Sequence, residues 1–158
     1  MLIRNPNPSD YNAIISVVDH WWNGRKMSNM LPKLFFEHFK QTSFLLEKEG
    51  EIIGFLIGFL SQTHSQEAYI HFVGIHPDFR GQGLGKSLYQ KFFEVIHGYD
   101  RQTVKCVTSP LNKNSIEFHL SLGFEIQQGN STYDQISYFP NYDGEGEDRV
   151  LFIRHLQK

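Results

Sequence analysis

Cysteine is nearly absent from this 158-residue chain, where Cys106 stands alone. A disulfide within the chain is excluded, as is a zinc site built from paired thiolates. A reducing compartment, the cytoplasm, is the expectation. An excess of charge is absent too: 15 Lys and Arg face 17 Asp and Glu, for a net charge of −2. No nucleic-acid partner is expected, because such a partner calls for a basic surface. Long apolar runs are missing. The longest, Ile52 to Leu60, is too short to span a bilayer, so no membrane partner is expected. The start, MLIRNPNPSD, lacks the apolar centre of a secretion signal. No segment repeats another.

What the chain does have is core material. Hydrophobic residues make up 40% and aromatic residues 15%, with 14 phenylalanines. That composition folds, and the length suits a single domain, 1–158. The phenylalanines also leave room for an apolar contact between two copies, a possible homodimer. Met1 to Asn5 is predicted as a strand. A helix starts at Pro8-Ser9-Asp10, carries Tyr11, Ile14, Ile15 and Val18 on one face, and fades near Gly24. A second helix is expected over Leu31 to Phe39. Phe44 to Glu47 and Ile52 to Leu60 form a hairpin, and Ala68 to Ile75 is the next strand. Leu84, Leu88, Phe92, Val95 and Ile96 mark an amphipathic helix. A strand over Val104 to Thr108 and a helix over Asn112 to Leu122 follow, with Gly123 at the helix end. Phe124 to Gln128 and Arg149 to Leu156 are the last strands. Asn130 to Asp148 is read as a loop over a pocket. Hairpins first and alternating elements later imply an α/β fold: a mixed, mostly antiparallel sheet with helices on both faces.

The stretch RGQGLGKS, Arg80 to Ser87, carries the chemistry. A Walker loop needs glycine at position 80, where Arg80 stands, and no Walker-B strand is evident. The dinucleotide pattern G-x-G-x-x-G needs its third glycine at Lys86 or Leu88. The pattern R/Q-x-x-G-x-G/A fits Arg80, Gly83 and Gly85, between a strand and a helix. Amide N–H groups of such a loop and of the helix N-terminus converge on one cavity and suit a pyrophosphate. Glycine lets backbone approach the ligand.

With the preceding strand IHFVGIHPDF and the later element N-K-N-S-I-E-F-H-L-S-L-G-F, Asn112 to Phe124, the sequence resembles the GCN5-related N-acetyltransferase (GNAT) family. The resemblance covers about residues 42 to 126. It implies an enzyme that moves an acetyl group from acetyl-CoA, its co-substrate, directly to a primary amine of a small molecule or peptide. A domain of the same fold that holds acyl-CoA without turnover is the alternative. The resemblance further implies that Val73, Gly74 and Ile75 flank the pantetheine arm, with a bulge expected at Gly74. Arg80, Gly81, Gln82, Gly83, Leu84, Gly85 and Lys86 would cradle the pyrophosphate, with charge from Arg80 or Lys86 at the rim. Asn112 would bond the cofactor or cap its helix.

The family often places a tyrosine seven residues after that asparagine, as acid for the leaving thiolate. Here the position holds His119, and histidine titrates near neutrality; Tyr133, Tyr138 and Tyr142 are the other candidate phenols. Val107 stands where some members carry glutamate. His71, with Tyr69 and Val73 on one strand face, is the candidate base. Asp19, Trp22 and Tyr138 are candidates for holding a cationic amine. No metal is expected: His71 and His76 point to opposite faces of an extended strand.

Overall fold

The structure, a computed structural model, describes residues 1–156. The last two positions of the expected 1–158 domain lie outside the described residues. The order is β1 (Leu2–Arg4), α1 (Asp10–Ile15), α2 (Val18–Trp21), α3 (Leu34–His38), β2 (Phe44–Lys48), β3 (Glu51–Leu60), β4 (Glu67–Ile75), α4 (Leu84–Gly98), β5 (Thr103–Thr108), α5 (Lys113–Ser121), β6 (Glu125–Ile126), β7 (Ser131–Tyr133), β8 (Ile136–Tyr138) and β9 (Val150–His155). Seven strands form one sheet in the order β1-β2-β3-β4-β5-β9-β6, and β7 and β8 form a separate hairpin. All neighbours in the large sheet are antiparallel except β4 and β5. The expected mixed sheet is therefore present.

Two apolar layers hold it. On one face Leu88, Tyr89, Phe92 and Ile96 of α4 and Ile116 of α5 pack on Phe44, Leu56, Ile70, Cys106 and Phe152. On the other, Ile14, Val18, Trp21 and Phe36 from α1 to α3 pack on Leu45, Phe55, Ile57 and Phe72. Gly58 brings α4 close to the sheet: a Cβ there would run into the Phe92 ring.

The first predicted helix is two. Val17 N–H bonds back only to Ile14, and the Ser16 hydroxyl donates to the Ala13 carbonyl, a back-bond that bends helices. The second predicted helix shortens to Leu34–His38, because a residue before proline avoids helical backbone; Leu31, before Pro32, has ψ 62°. The segment read as a loop contains the β7–β8 hairpin, whose turn places Asp134 and Gln135 at φ 49° and 66°. Asp134 also pairs with Lys113 at the start of α5, 3.2 Å away.

Candidate active site

The site begins as a fault in the sheet. β4 and β5 share only the rungs Glu67↔Thr103, Ala68↔Val104 and Tyr69↔Lys105. Just past the last rung, Ile57 pairs with Phe72 and Gly58 with Ile70, so His71 is an extra residue, a bulge. A bulge bends its strand and ends regular pairing. It also reverses the alternation: Ala68 and Ile70 pack on the α4 side, as do Val73 and Ile75, while Phe72 packs on the α2 side. The bulge is thus at His71 and not at Gly74, which pairs regularly with Phe55. Gly74 is glycine for packing: a Cβ there would lie 2.7 Å from Phe55 and 2.8 Å from Trp22. The expected common face of Tyr69, His71 and Val73 fails for the same reason, as Val73 is turned to the opposite side.

Where β4 and β5 part, a cleft of about 380 Å³ opens, lined by His71, Val73, Tyr89, Cys106, Asn112, His119 and Arg149 among others. A larger surface depression, about 640 Å³, lies at the far end of α3 over Phe39, Phe59 and Tyr99. It contains none of the residues that the sequence singles out.

The glycine loop sits at the N-terminus of α4. Gly81 and Gly83 have φ of 77° and 78°, and nothing stands within 4 Å of a Cβ built on either. The first bond into the helix is Ser87 N–H to the Gly83 carbonyl. The N–H groups of Gly81, Gln82, Gly83, Leu84, Gly85 and Lys86 have no acceptor among the described residues. Open space above a run of free donors fits a pyrophosphate. Gly85 serves another end: Phe118 of α5 would be 3.2 Å from its Cβ. Arg80 is not at the rim. Its guanidinium donates to the Trp21 carbonyl at 2.6 Å and to the Ile75 carbonyl at 3.1 Å, tying the loop to α2 and β4. Lys86 stays exposed at the helix start.

Asn112 caps α5, its Oδ1 accepting Ser115 N–H at 3.1 Å, and it also lines the cleft. His119 is 6% exposed. Its Nδ1 donates to the Ser115 carbonyl at 2.7 Å, which leaves Nε2 to accept the Tyr89 hydroxyl at 2.8 Å. The ring lies flat on Phe152, centroids 4.6 Å apart. Burial holds its pKa below the usual value, against the Ser115 bond, which raises it. Burial also pushes the Tyr89 phenol well above its usual value, so both partners are neutral near pH 7. Tyr89 belongs to none of the sequence motifs, although it repeats at helical spacing with Phe92 and Ile96. Tyr133 and Tyr142 are exposed. Cys106 lines the cleft, but burial raises its thiol pKa far from the nucleophilic range.

His71 faces the other half of the cleft. Nε2 donates to the Met30 carbonyl at 2.6 Å, and the ring stacks on Phe35 at 4.5 Å. That bond fixes the tautomer and leaves Nδ1 as the proton acceptor. Of the three acceptor-side candidates, only Trp22 lines the cleft. Tyr138 packs at the edge of the α4-side core. The Asp19 carboxylate accepts Met27 N–H at 2.7 Å and Ser28 N–H at 2.8 Å, and the Met27 bond leads in holding its pKa low. It builds a loop instead of meeting a ligand.

Residues 11–124 match the sequence model of the acetyltransferase (GNAT) family. The chain belongs to that family. Members use acetyl-CoA as co-substrate, and the chain has the acyltransferase fold of that family. It is 30% identical over 113 residues to an uncharacterized N-acetyltransferase of Methanocaldococcus jannaschii, covering 69% of this chain and 50% of that protein. The chain thus spans half the length of that relative. It is 26% identical over 155 residues to an L-2,4-diaminobutyric acid acetyltransferase of Vibrio parahaemolyticus, covering 96% of this chain and 83% of that one. Its fold matches yncA from Salmonella typhimurium, solved with acetyl-CoA, with a TM-score of 0.73 at 19% identity, over 100% of this chain and 95% of that one. Among the described residues, no helix is long and apolar enough to cross a membrane.

Proposed function

We propose that this chain transfers the acetyl group of acetyl-CoA directly to a primary amine of a small molecule. The observation that carries the reading is the continuity of two sets of unused backbone groups. The edges of β4 and β5 past Tyr69↔Lys105 are unpaired, and they lead to the free amides of residues 81–86. Buried backbone groups are rarely left without partners, and a pantetheine arm ending in a pyrophosphate matches that row. Val73, Gly74 and Asn112 flank the arm. Gly81 to Lys86 bind the pyrophosphate, and Arg80 anchors the loop.

The thioester carbonyl then lies in the cleft between His71 and the Tyr89–His119 pair. The amine nitrogen attacks the carbonyl carbon, and the C–S bond breaks with its electron pair on sulfur. His71 Nδ1 takes the amine proton and passes it to water, and the thiolate regains a proton from water. Tyr89, turned from His119, donates a hydrogen bond to the departing sulfur. His119 holds that phenol at the cleft before the reaction, through Nε2, and is not itself the acid. An enzyme needs no acyl intermediate here, since the Cys106 thiol stays protonated. The diaminobutyrate relative makes a small diamino acid a natural first acceptor.

The engagement of His119 also favours a second reading, a module that binds acyl-CoA without turnover. Calorimetric titration with acetyl-CoA, repeated on Gly83→Glu, tests the cofactor site. Binding in the wild type and its loss in the variant are expected; no binding refutes the site. Turnover on an amine panel, abolished in His71→Phe, supports the enzyme. Binding without turnover of any amine supports the module.

A further inference from the structure

Among the described residues, Arg25 is the arginine without a partner. Arg4 pairs with Asp10 at 2.9 Å, Arg149 with Asp143 at 2.8 Å and Glu147 at 3.1 Å, and Arg80, Arg101 and Arg154 donate to backbone carbonyls. The Arg25 guanidinium makes no hydrogen bond or ion pair, yet it lines the active cleft beside Trp22, Met27, Tyr69 and His71.

Its backbone is held firmly. α2 ends at Trp21 with Trp22 as its cap, and Asn23 and Gly24 follow with φ of 54° and 84°. Gly24 N–H donates to the Asp19 carbonyl at 2.8 Å and Arg25 N–H to the Trp22 carbonyl at 3.0 Å. The Asp19 carboxylate binds the next turn through Met27 and Ser28. The carboxylate nearest in sequence is therefore occupied in bracing the loop that presents Arg25. The other cation of the cleft, Arg149, is neutralised by its own acidic partners. What remains facing the acceptor half is one unmatched, exposed guanidinium in a cleft also lined by Trp22, whose ring tilts against Phe72 at 5.0 Å. A planar fork of donors beside an apolar wall recognises a carboxylate on a short apolar stem.

We infer that Arg25 receives a carboxylate of the acceptor, so that the substrate is an amino acid whose amine reaches His71 while its acid group sits on Arg25. This rests on the acetyl-transfer reading above and narrows it. It also inverts the expectation drawn from sequence, which sought a carboxylate to hold a cationic amine. The relative that acts on L-2,4-diaminobutyric acid has an acceptor of this kind.

Two probes isolate the carboxylate: L-2,4-diaminobutyrate and 1,3-diaminopropane, which is the same diamine without the acid group. Each is titrated calorimetrically into protein saturated with CoA, where no transfer occurs. The diamino acid is expected to bind at least about tenfold more tightly, the effect of one charge-assisted contact. Arg25→Gln is expected to bring the two affinities together, and Arg25→Lys to restore part of the difference. Equal affinities in the wild type, tighter binding of the diamine, or no binding of either probe would overturn the inference. So would an Arg25→Gln variant that weakens both probes alike, or one that weakens acetyl-CoA and leaves the probes unchanged. A parallel acetyl-CoA titration keeps the two failures apart. If acetyl-CoA does not bind, the acetyl-transfer reading falls, and the two probes titrated into the free protein still decide carboxylate recognition.

Discussion

Removing the Tyr89 hydroxyl tests the least expected contact of the site. Tyr89→Phe keeps the ring, which is 2% exposed and packs edge-on against Phe118 and His119. It deletes the donor to His119 Nε2 and leaves a buried acceptor without a partner. The cost is about 1–3 kcal/mol at pH 7.5, or about 2–4 °C in Tm per kcal/mol for a chain of this length. The pH dependence has a definite sign. Burial lowers the His119 pKa in the folded protein, while the unfolded chain titrates near the ordinary value of about 6.5. The unfolded state therefore binds the proton first. The stability linked to neutral His119 is complete above about pH 6.5 and is lost as pH falls from there through the lowered folded pKa, by up to about 1.4 kcal/mol per unit. In the wild type the Tyr89 oxygen can turn to accept Nε2–H of an imidazolium, whereas phenylalanine cannot. The deficit of Tyr89→Phe at pH 5.5 is thus expected to be at least as large as at pH 7.5. Urea denaturation at both pH values, on Tyr89→Phe, His119→Phe and the double variant, measures it. A coupling of about 0.5 kcal/mol or more is expected, and one below about 0.3 kcal/mol would refute the bond.

Three further outcomes follow from the same geometry. Gly74→Ala forces a methyl between the Phe55 and Trp22 rings and is expected to lower stability by about 1–3 kcal/mol by overpacking; an unchanged Tm would contradict the close approach. Gly83→Ala meets no atom, so its cost is the left-handed backbone alone, about 1–2 kcal/mol. The loop would shift to relieve it, and calorimetry should show weaker acetyl-CoA binding. Arg4 holds the Asp10 carboxyl below its usual pKa, through a side-chain hydrogen bond first of all. That stability is present above about pH 3.9 and lost as pH falls below it. Arg4→Met should be less stable than the wild type at pH 7 by chemical denaturation, with the gap narrowing toward pH 2.5; a constant gap would mean that the ion pair is not its source.

The glycine loop was legible because its requirements are local. Gly81 and Gly83 need positive φ, and the helix stripe begins at once after them. The extents of β3, β4, α4 and α5 were legible for a similar reason, since apolar period and end signals lie within each element. The bulge was not, because register belongs to two strands. It arises where Gly58, admitting Phe92, pairs with Ile70 while Ile57 pairs with Phe72, and nothing in IHFVGI alone shows which residue is extra. The β7–β8 turn was hidden since Asp134 and Gln135 take a positive φ that glycine usually supplies. Asp19 misled for a different reason: its partners, the N–H groups of Met27 and Ser28, carry no sequence signature. Tyr89 was within reach of periodicity, but its meaning depended on α5 bringing His119 beneath it.

The displaced bulge has a consequence for the chemistry. With a regular β4, Tyr69, His71 and Val73 would share one face, and the base would stand over the same side as the strand's lower half. One extra residue at His71 separates these roles. Val73 and Ile75 turn toward α4, on the side of the loop that suits the pyrophosphate, while His71 stays toward Phe35 and Met30, on the side of Arg25. The same residue that ends the β4–β5 ladder is thus the one that reaches the acceptor half of the opening. A cleft between two strands needs one partner group on each side of the reacting carbonyl. In the proposed reaction the bulge places one at His71, and α4 places the other at Tyr89, which His119 of α5 holds. Deleting His71 would remove the group on the acceptor side and restore regular pairing, with Phe72 and Val73 keeping their present faces: the ladder would be free to extend past Tyr69↔Lys105 and close the cleft. Loss of acetyl-CoA binding in a folded deletion variant is the expected result. Retained binding would show that the separation of β4 and β5 does not depend on the bulge.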